Sequence, residues 1–327
     1  MRSGHSRIDF LVDLALPHPP KIFRILMAFR SAVFALLIVF VAPVVASPIV
    51  QQEGAPYVLA DTTVHTIHAK ELGRDYQVFV SLPAGYSPTG PALPVVFVTD
   101  ADYAFPLVRA ISARIGGHST SIGPFILVGL SYAVGDTPEY SRRRDYTPTT
   151  NPQDVVTSDM PGRPPRFGEA EGYRRFIASD VLPLIASRYR ADMSRTVFVG
   201  HSYGALLGAH ILMTSPNMFS KYVISSPSLW YDHGVMFARE KEYALSHKDM
   251  KADVFFSAGG FEAIKAHDPR YNTDVDMVRD AHNFDEALKS RHYPGLTTQF
   301  HVFEGKDHLD VFPDMITTAL KWAVPGK

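Results

Sequence analysis

The chain has 327 residues, of which 46% are hydrophobic, 20% charged and 12% aromatic, so it can bury a large core and does not have the composition of a disordered chain. Its 32 Lys and Arg against 33 Asp and Glu leave a net charge of −1, which provides no field for gripping a phosphate backbone and sets nucleic-acid binding aside. With no cysteine, disulfides, thiolate-held zinc, iron–sulfur clusters and thiol nucleophiles are excluded.

Residues 1–26, with Pro17, Pro19 and Pro20, suit neither a signal nor a domain; they read as an unstructured extension, or as sequence upstream of a true start at Met27. Residues 27–46 have the layout of a secretory signal: Arg30, an apolar run from Ala32 to Val45, and small residues around Val44 and Ala46. The run is about 15 residues and contains Pro43, whereas a bilayer span takes ~20, so no permanent membrane span is expected. Cleavage after Ala46 and export to the periplasm or medium are predicted. Residues 47–327 then form one α/β domain.

Within that domain eight β-branched runs stand out: Val64 to His68, Tyr76 to Leu82, Val95 to Thr99, Phe125 to Leu130, Thr196 to Val199, Tyr222 to Ser225, Val254 to Ala258 and Thr298 to Phe303. The first two alternate and are joined by Lys70 to Arg74, which predicts an antiparallel hairpin. Later runs are almost continuously apolar and separated by helical stretches, as in a mostly parallel sheet with helices on both faces. One predicted helix is Glu169 to Tyr189, with Tyr173, Phe176, Ile177, Val181, Leu184, Ile185 and Tyr189 on one face. Ser131 to Phe167, rich in Pro, Thr and Arg, reads as an irregular insertion over the sheet. His65 and His68 are three apart on a predicted strand and point to opposite faces, so no metal site is expected there.

Chemistry concentrates around Gly200-His201-Ser202-Tyr203-Gly204, which follows a buried strand and opens a small-residue helix. That context is the one in which Gly-x-Ser-x-Gly forms a nucleophile elbow, with glycines where strand and helix backbones must pass closely. Ser202 is therefore the candidate nucleophile. A serine hydroxyl needs a histidine to take its proton, and the histidine needs a carboxylate to fix its tautomer, in the chain order Ser, acid, His. His308, in the turn after the last strand, is the candidate base; His301 lies inside that strand. For the acid, Glu262 follows the strand Val254 to Ala258 directly; Asp268, Asp274, Asp276 and Asp307 are its rivals. Oxyanion donors are expected from the backbone of Tyr203 and, in the loop after the third strand, Asp102, with Asp100 bracing that loop. Of Arg142, Arg143 and Arg144, Arg144 is taken as a substrate contact, and Trp230 as a pocket wall. A serine nucleophile of this kind needs no metal and no organic cofactor.

Together, Val95-Val-Phe-Val-Thr-Asp, Gly200-His-Ser-Tyr-Gly, Ser226-Pro-Ser-Leu-Trp, Gly259-Gly-Phe-Glu and Glu304-Gly-Lys-Asp-His resemble the "putative esterase" family of α/β-hydrolases over roughly Val64 to Trp322. The resemblance is strongest to its siderophore-esterase-like branch, where Arg144-Asp-Tyr-Thr-Pro also has a counterpart. It implies hydrolysis of a small-molecule ester through an acyl-serine, with Ser202, Glu262 and His308 in the triad positions. Two departures are visible: Asp100-Ala101 stands where the family usually has Asp-Gly, and Tyr203 replaces a smaller or apolar residue. Acyl transfer to a second alcohol, or a silent hydrolase-like binding protein, are the alternatives.

Overall fold

A computed structural model describes residues 54–117, 120–150 and 158–326; the predictions for residues 1–46 lie outside them. The strands are β1 (Thr62–Ala69), β2 (Arg74–Ser81), β3 (Leu93–Val98), β4 (Ile126–Ala133), β5 (Ala191–His201), β6 (Lys221–Ser225), β7 (Ala252–Gly259) and β8 (Leu296–Phe303). They form one sheet in the order β1-β2-β4-β3-β5-β6-β7-β8. The β1/β2 hairpin is antiparallel and the pairs from β3/β4 to β7/β8 are parallel, as the change from alternating to continuous apolar runs predicts, while β2/β4 is antiparallel because the hairpin joins the sheet through its second strand. The β1–β2 turn closes on the Ala69 carbonyl, which accepts from the amides of Leu72 at 3.0 Å and Gly73 at 2.9 Å.

The helices are α1 (Ala101–Gly117), α2 (Pro138–Tyr146), α3 (Ala170–Phe176), α4 (Leu182–Arg188), α5 (Tyr203–Thr214), α6 (Tyr231–Ser246), α7 (Met277–Lys289) and α8 (Val311–Ala323). Period-two alternation along the central strands sends their side chains to two cores. Val197 and Val199 of β5 join the layer under α1 and α8, while Phe198 joins the larger layer under α2 to α7. Helix α5 is buried from Gly204 to Met213, which is why it shows no polar face. No helix among the described residues is long and apolar enough to cross a membrane.

Two expectations need correcting. The single helix foreseen over Glu169 to Tyr189 is α3 and α4 joined by a π-helical turn, Ile177–Val181, in which the Leu182 amide reaches back five residues to the Ile177 carbonyl. Pro183 explains the widened turn: it has no amide to donate, and its ring would strike the carbonyl four residues back. The stretch 131–167 is not irregular throughout, because it contains α2. There Thr137 accepts the Tyr140 amide at 3.3 Å and Pro138 opens the helix. The Arg-rich sequence hides this helix, since its buried face includes Tyr140, Ser141, Arg144, Asp145 and Tyr146 rather than aliphatic residues.

The join between β5 and α5 has no spare volume. A Cβ on Gly200 would overlap the main chain of Gly204, and one on Gly204 would overlap the Thr99 hydroxyl. Gly200→Ala is therefore expected to lower unfolding free energy by about 3 kcal/mol, measured by urea denaturation; wild-type stability in that variant would show that the elbow can open without cost.

Candidate active site

The sheet's carboxyl edge builds the site. β5 ends at His201 and α5 begins at Tyr203, so the chain turns over Ser202, held at φ 59° and ψ −121°. Such a backbone costs a non-glycine residue about 1–3 kcal/mol and persists only where its surroundings impose it. Here the Ser202 amide donates to the Ser225 carbonyl at 3.1 Å, and the Ser202 carbonyl accepts from Leu206 at 3.0 Å. The turn leaves Ser202 half-buried at the N-terminus of α5, where the helix dipole favours negative charge. Among the described residues the Ser202 hydroxyl makes no hydrogen bond.

Two strands away, β7 runs into a short turn, Gly260–Glu262, that tucks Glu262 inward to 2% exposure. Its Oε2 accepts the Gly259 amide at 3.1 Å, and its Oε1 meets His308 Nδ1 at 2.6 Å. The loop after β8 presents His308 half-exposed, braced by Asp307, whose Oδ1 accepts the amides of Leu309 and Asp310. A short bond from Nδ1 to a buried carboxylate leaves Nε2 as the lone-pair nitrogen, the tautomer a general base requires. The rival acids are engaged elsewhere or stand apart. Asp268 pairs with Arg270, Asp276 caps α7 through the Arg279 amide, and Asp274 is exposed on the connecting loop.

Asp102 is the second residue of α1, within the first turn whose amides lack intrahelical acceptors. Its carboxylate accepts from Ser131 Oγ at 2.8 Å and is thereby occupied away from its own amide. Asp100, fully buried at φ 54°, braces this loop: its carboxylate accepts from Tyr132 Oη at 2.8 Å and Arg142 Nε at 3.0 Å, and its amide donates to Tyr146 Oη at 3.3 Å. The Arg142 guanidinium also lies over the Tyr203 ring, 5.4 Å from its centroid. Trp230 packs 6.2 Å from the same ring and 6.5 Å from Tyr231, so an aromatic wall stands beside the elbow.

Arg144 is not where a substrate contact would be. Its side chain is 3% exposed, with Nη1 on Asp136 at 2.6 Å and Nε on Asp145 at 2.8 Å. Arg74 and the Tyr76 hydroxyl complete the network on Asp145. The position follows from α2, whose inward face carries Ser141, Arg144 and Asp145, while Arg142 alone of the three arginines is turned toward the elbow. Arg143 pairs with Asp159.

One residue was overlooked in the sequence. His201 is 5% exposed, its ring centroid lies 4.6 Å from that of His308, and its Nε2 is buried without a partner. Burial, reinforced by the nearby charges of His308 and Arg142, holds its pKa well below the ordinary 6.5, so it stays neutral. The available signal was its parity with Val197 and Val199 on β5, which turns it into the α1/α8 layer beneath the loop that carries His308.

A strand–turn–helix serine at the carboxyl edge of this sheet is the arrangement found in the α/β-hydrolases. Residues 69–323 match the family described as "Putative esterase", and the chain belongs to that family. It is similar to the ferri-bacillibactin esterase BesA of Bacillus subtilis, 29% identical over 279 residues that cover 82% of this chain and 91% of that protein. The siderophore triacetylfusarinine C esterase of Aspergillus fumigatus is likewise 29% identical, covering 76% of this chain and 88% of its own. Among solved structures, the BES protein from Bacillus cereus superposes with a TM-score of 0.68 at 26% identity, over 84% of this chain and 99% of that one.

Because the Arg144 network is buried, Arg144→Met should lower unfolding free energy by about 3–5 kcal/mol in urea denaturation without altering KM of the folded protein. A changed KM at wild-type stability would return Arg144 to the substrate site.

Proposed function

We propose that this protein is an exported serine esterase that hydrolyses siderophore-type esters through an acyl-serine, with Ser202 as nucleophile, His308 as base and Glu262 as its orienting acid. The single observation that carries the reading is the 2.6 Å bond between His308 Nδ1 and the buried Glu262, formed at the same sheet edge as the strained Ser202 turn. Export rests on the layout of residues 27–46, and the substrate class on the names of the similar esterases.

In the proposed reaction His308 Nε2 takes the Ser202 proton as the hydroxyl attacks the ester carbonyl. The amides of Tyr203 and Asp102 receive the developing oxyanion, aided by the N-terminus of α5. The imidazolium, stabilised by Glu262, then protonates the leaving alcohol, and water repeats the cycle to release the acid. Contacts between nucleophile and base commonly close only when substrate is bound, which accommodates the unpartnered Ser202 hydroxyl. Arg142 and Trp230 border the acyl-binding side. Because Asp100 holds Nε and Nη2 of Arg142, its Nη1 is the nitrogen left to donate to a polyanionic substrate.

Ser202→Ala is expected to reduce turnover of p-nitrophenyl esters and of ferric siderophore lactones by about 10⁴-fold or more, and Glu262→Gln by a factor on the order of 10⁴. Labelling by a fluorophosphonate should vanish in Ser202→Ala. Retained hydrolysis or labelling in that variant would remove the serine mechanism, and cleavage of simple esters but of no siderophore would remove the substrate class. Intact-mass measurement of the protein recovered from the periplasm or medium should give a chain beginning at Ser47; a chain that retains residues 27–46 would contradict export by cleavage.

A further inference from the structure

One nitrogen from each of His201 and His308 and a carboxylate oxygen of Glu262 lie within 4.8 Å of one another. Proposed catalysis uses two of these groups and leaves the third unexplained. His201 Nε2 is buried without any partner, an arrangement that native proteins avoid unless something occupies the space. The neighbouring residues in register with His201 are also polar: it pairs with Ser225 on β6, which pairs with Ser257 on β7, and both hydroxyls are buried and unpartnered. This row of unsatisfied polar atoms faces the α1/α8 layer beside the loop carrying His308.

The geometry points to an inhibitory zinc site formed by His201, Glu262 and His308. Two imidazoles and one carboxylate are a donor set that suits Zn²⁺, with a fourth position left for water. Tetrahedral zinc with bonds of about 2.0–2.1 Å places its ligand atoms roughly 3.4 Å apart, so the three groups need only small side-chain movements to close on one ion. The half-exposed His308 gives the ion its way in.

The chemistry of inhibition follows from the tautomer. In the metal-free protein the Nδ1 proton of His308 lies on Glu262 and Nε2 is free to accept the Ser202 proton. Zn²⁺ bound at Nδ1 takes the place of that proton, which passes through solvent to Nε2. The neutral metal-bound ring then carries its proton on Nε2, where it can donate but cannot act as base. Binding rests on the geometry alone, whereas inhibition also rests on the catalytic assignment made above.

The test titrates the full chain with ZnCl₂ by calorimetry and repeats it with His201→Phe and His201→Asn, each checked for a wild-type circular dichroism spectrum. The wild type should bind one equivalent with micromolar or tighter affinity that both variants lose or weaken at least tenfold. The histidines elsewhere on the chain bind equally in all three proteins and cancel in the comparison. In parallel, Zn²⁺ should inhibit p-nitrophenyl ester hydrolysis reversibly to EDTA, and His201→Asn should need at least tenfold more Zn²⁺ for the same fractional loss. Equal stoichiometry and affinity in wild type and variants, or equal sensitivity to inhibition, would overturn the site. If no ester is hydrolysed at all, the catalytic reading fails while the calorimetric comparison still decides the metal site.

Discussion

Everything at this sheet edge depends on how closely β5 and α5 approach each other. Gly200 and Gly204 have no side chains because each position is filled by neighbouring main chain or by Thr99, and that contact forces the intervening Ser202 into a conformation serine does not choose. The strain is local and the compensation is distributed: the Ser225 carbonyl, the fully buried α5 and the two cores beneath it hold the turn closed. A hydroxyl on such a turn cannot retreat into the helix or the strand. It is held outward, at the positive end of a helix dipole, before any substrate arrives.

Charge around this turn is arranged in closed pairs. Asp100 would place a carboxylate at the start of α1, close to the expected oxyanion position, but Arg142 and Tyr132 occupy it. Glu262 is similarly buried and bonded to the Gly259 amide and His308. Leaving any one of these carboxylates without its partner would strand a charge in a low-dielectric site, so the donors are as necessary as the acids. His201 is the exception. Its Nε2, like the Ser225 and Ser257 hydroxyls in register with it, is buried without a partner, and a neutral imidazole left in that state beside His308 is what distinguishes it from a packing residue.

Most of the fold could be read from local pattern. Alternation over β1 and β2, continuous apolar runs over the central strands and the glycines flanking Ser202 each reflect a constraint between residues near in sequence or on one face. The insertion was harder, because α2 buries arginine, aspartate and tyrosine, and burial of charge leaves no apolar stripe to recognise. The π-helical turn between α3 and α4 was signalled by Pro183, yet a proline alone does not distinguish a kink from a widened turn.

The sequence by itself determined the sheet class, the serine turn, the histidine loop and the short set of acids from which Glu262 had to come, since each follows from residue types at fixed spacing. Only the tertiary structure decided which acid reaches His308, which of three consecutive arginines faces the elbow, and that His201 lies against His308. These outcomes depend on the rotation of α2 and on distances between strand ends 46 and more residues apart in the chain, as for Glu262 and His308. Such distances are set by how the two cores pack, and no local pattern carries them.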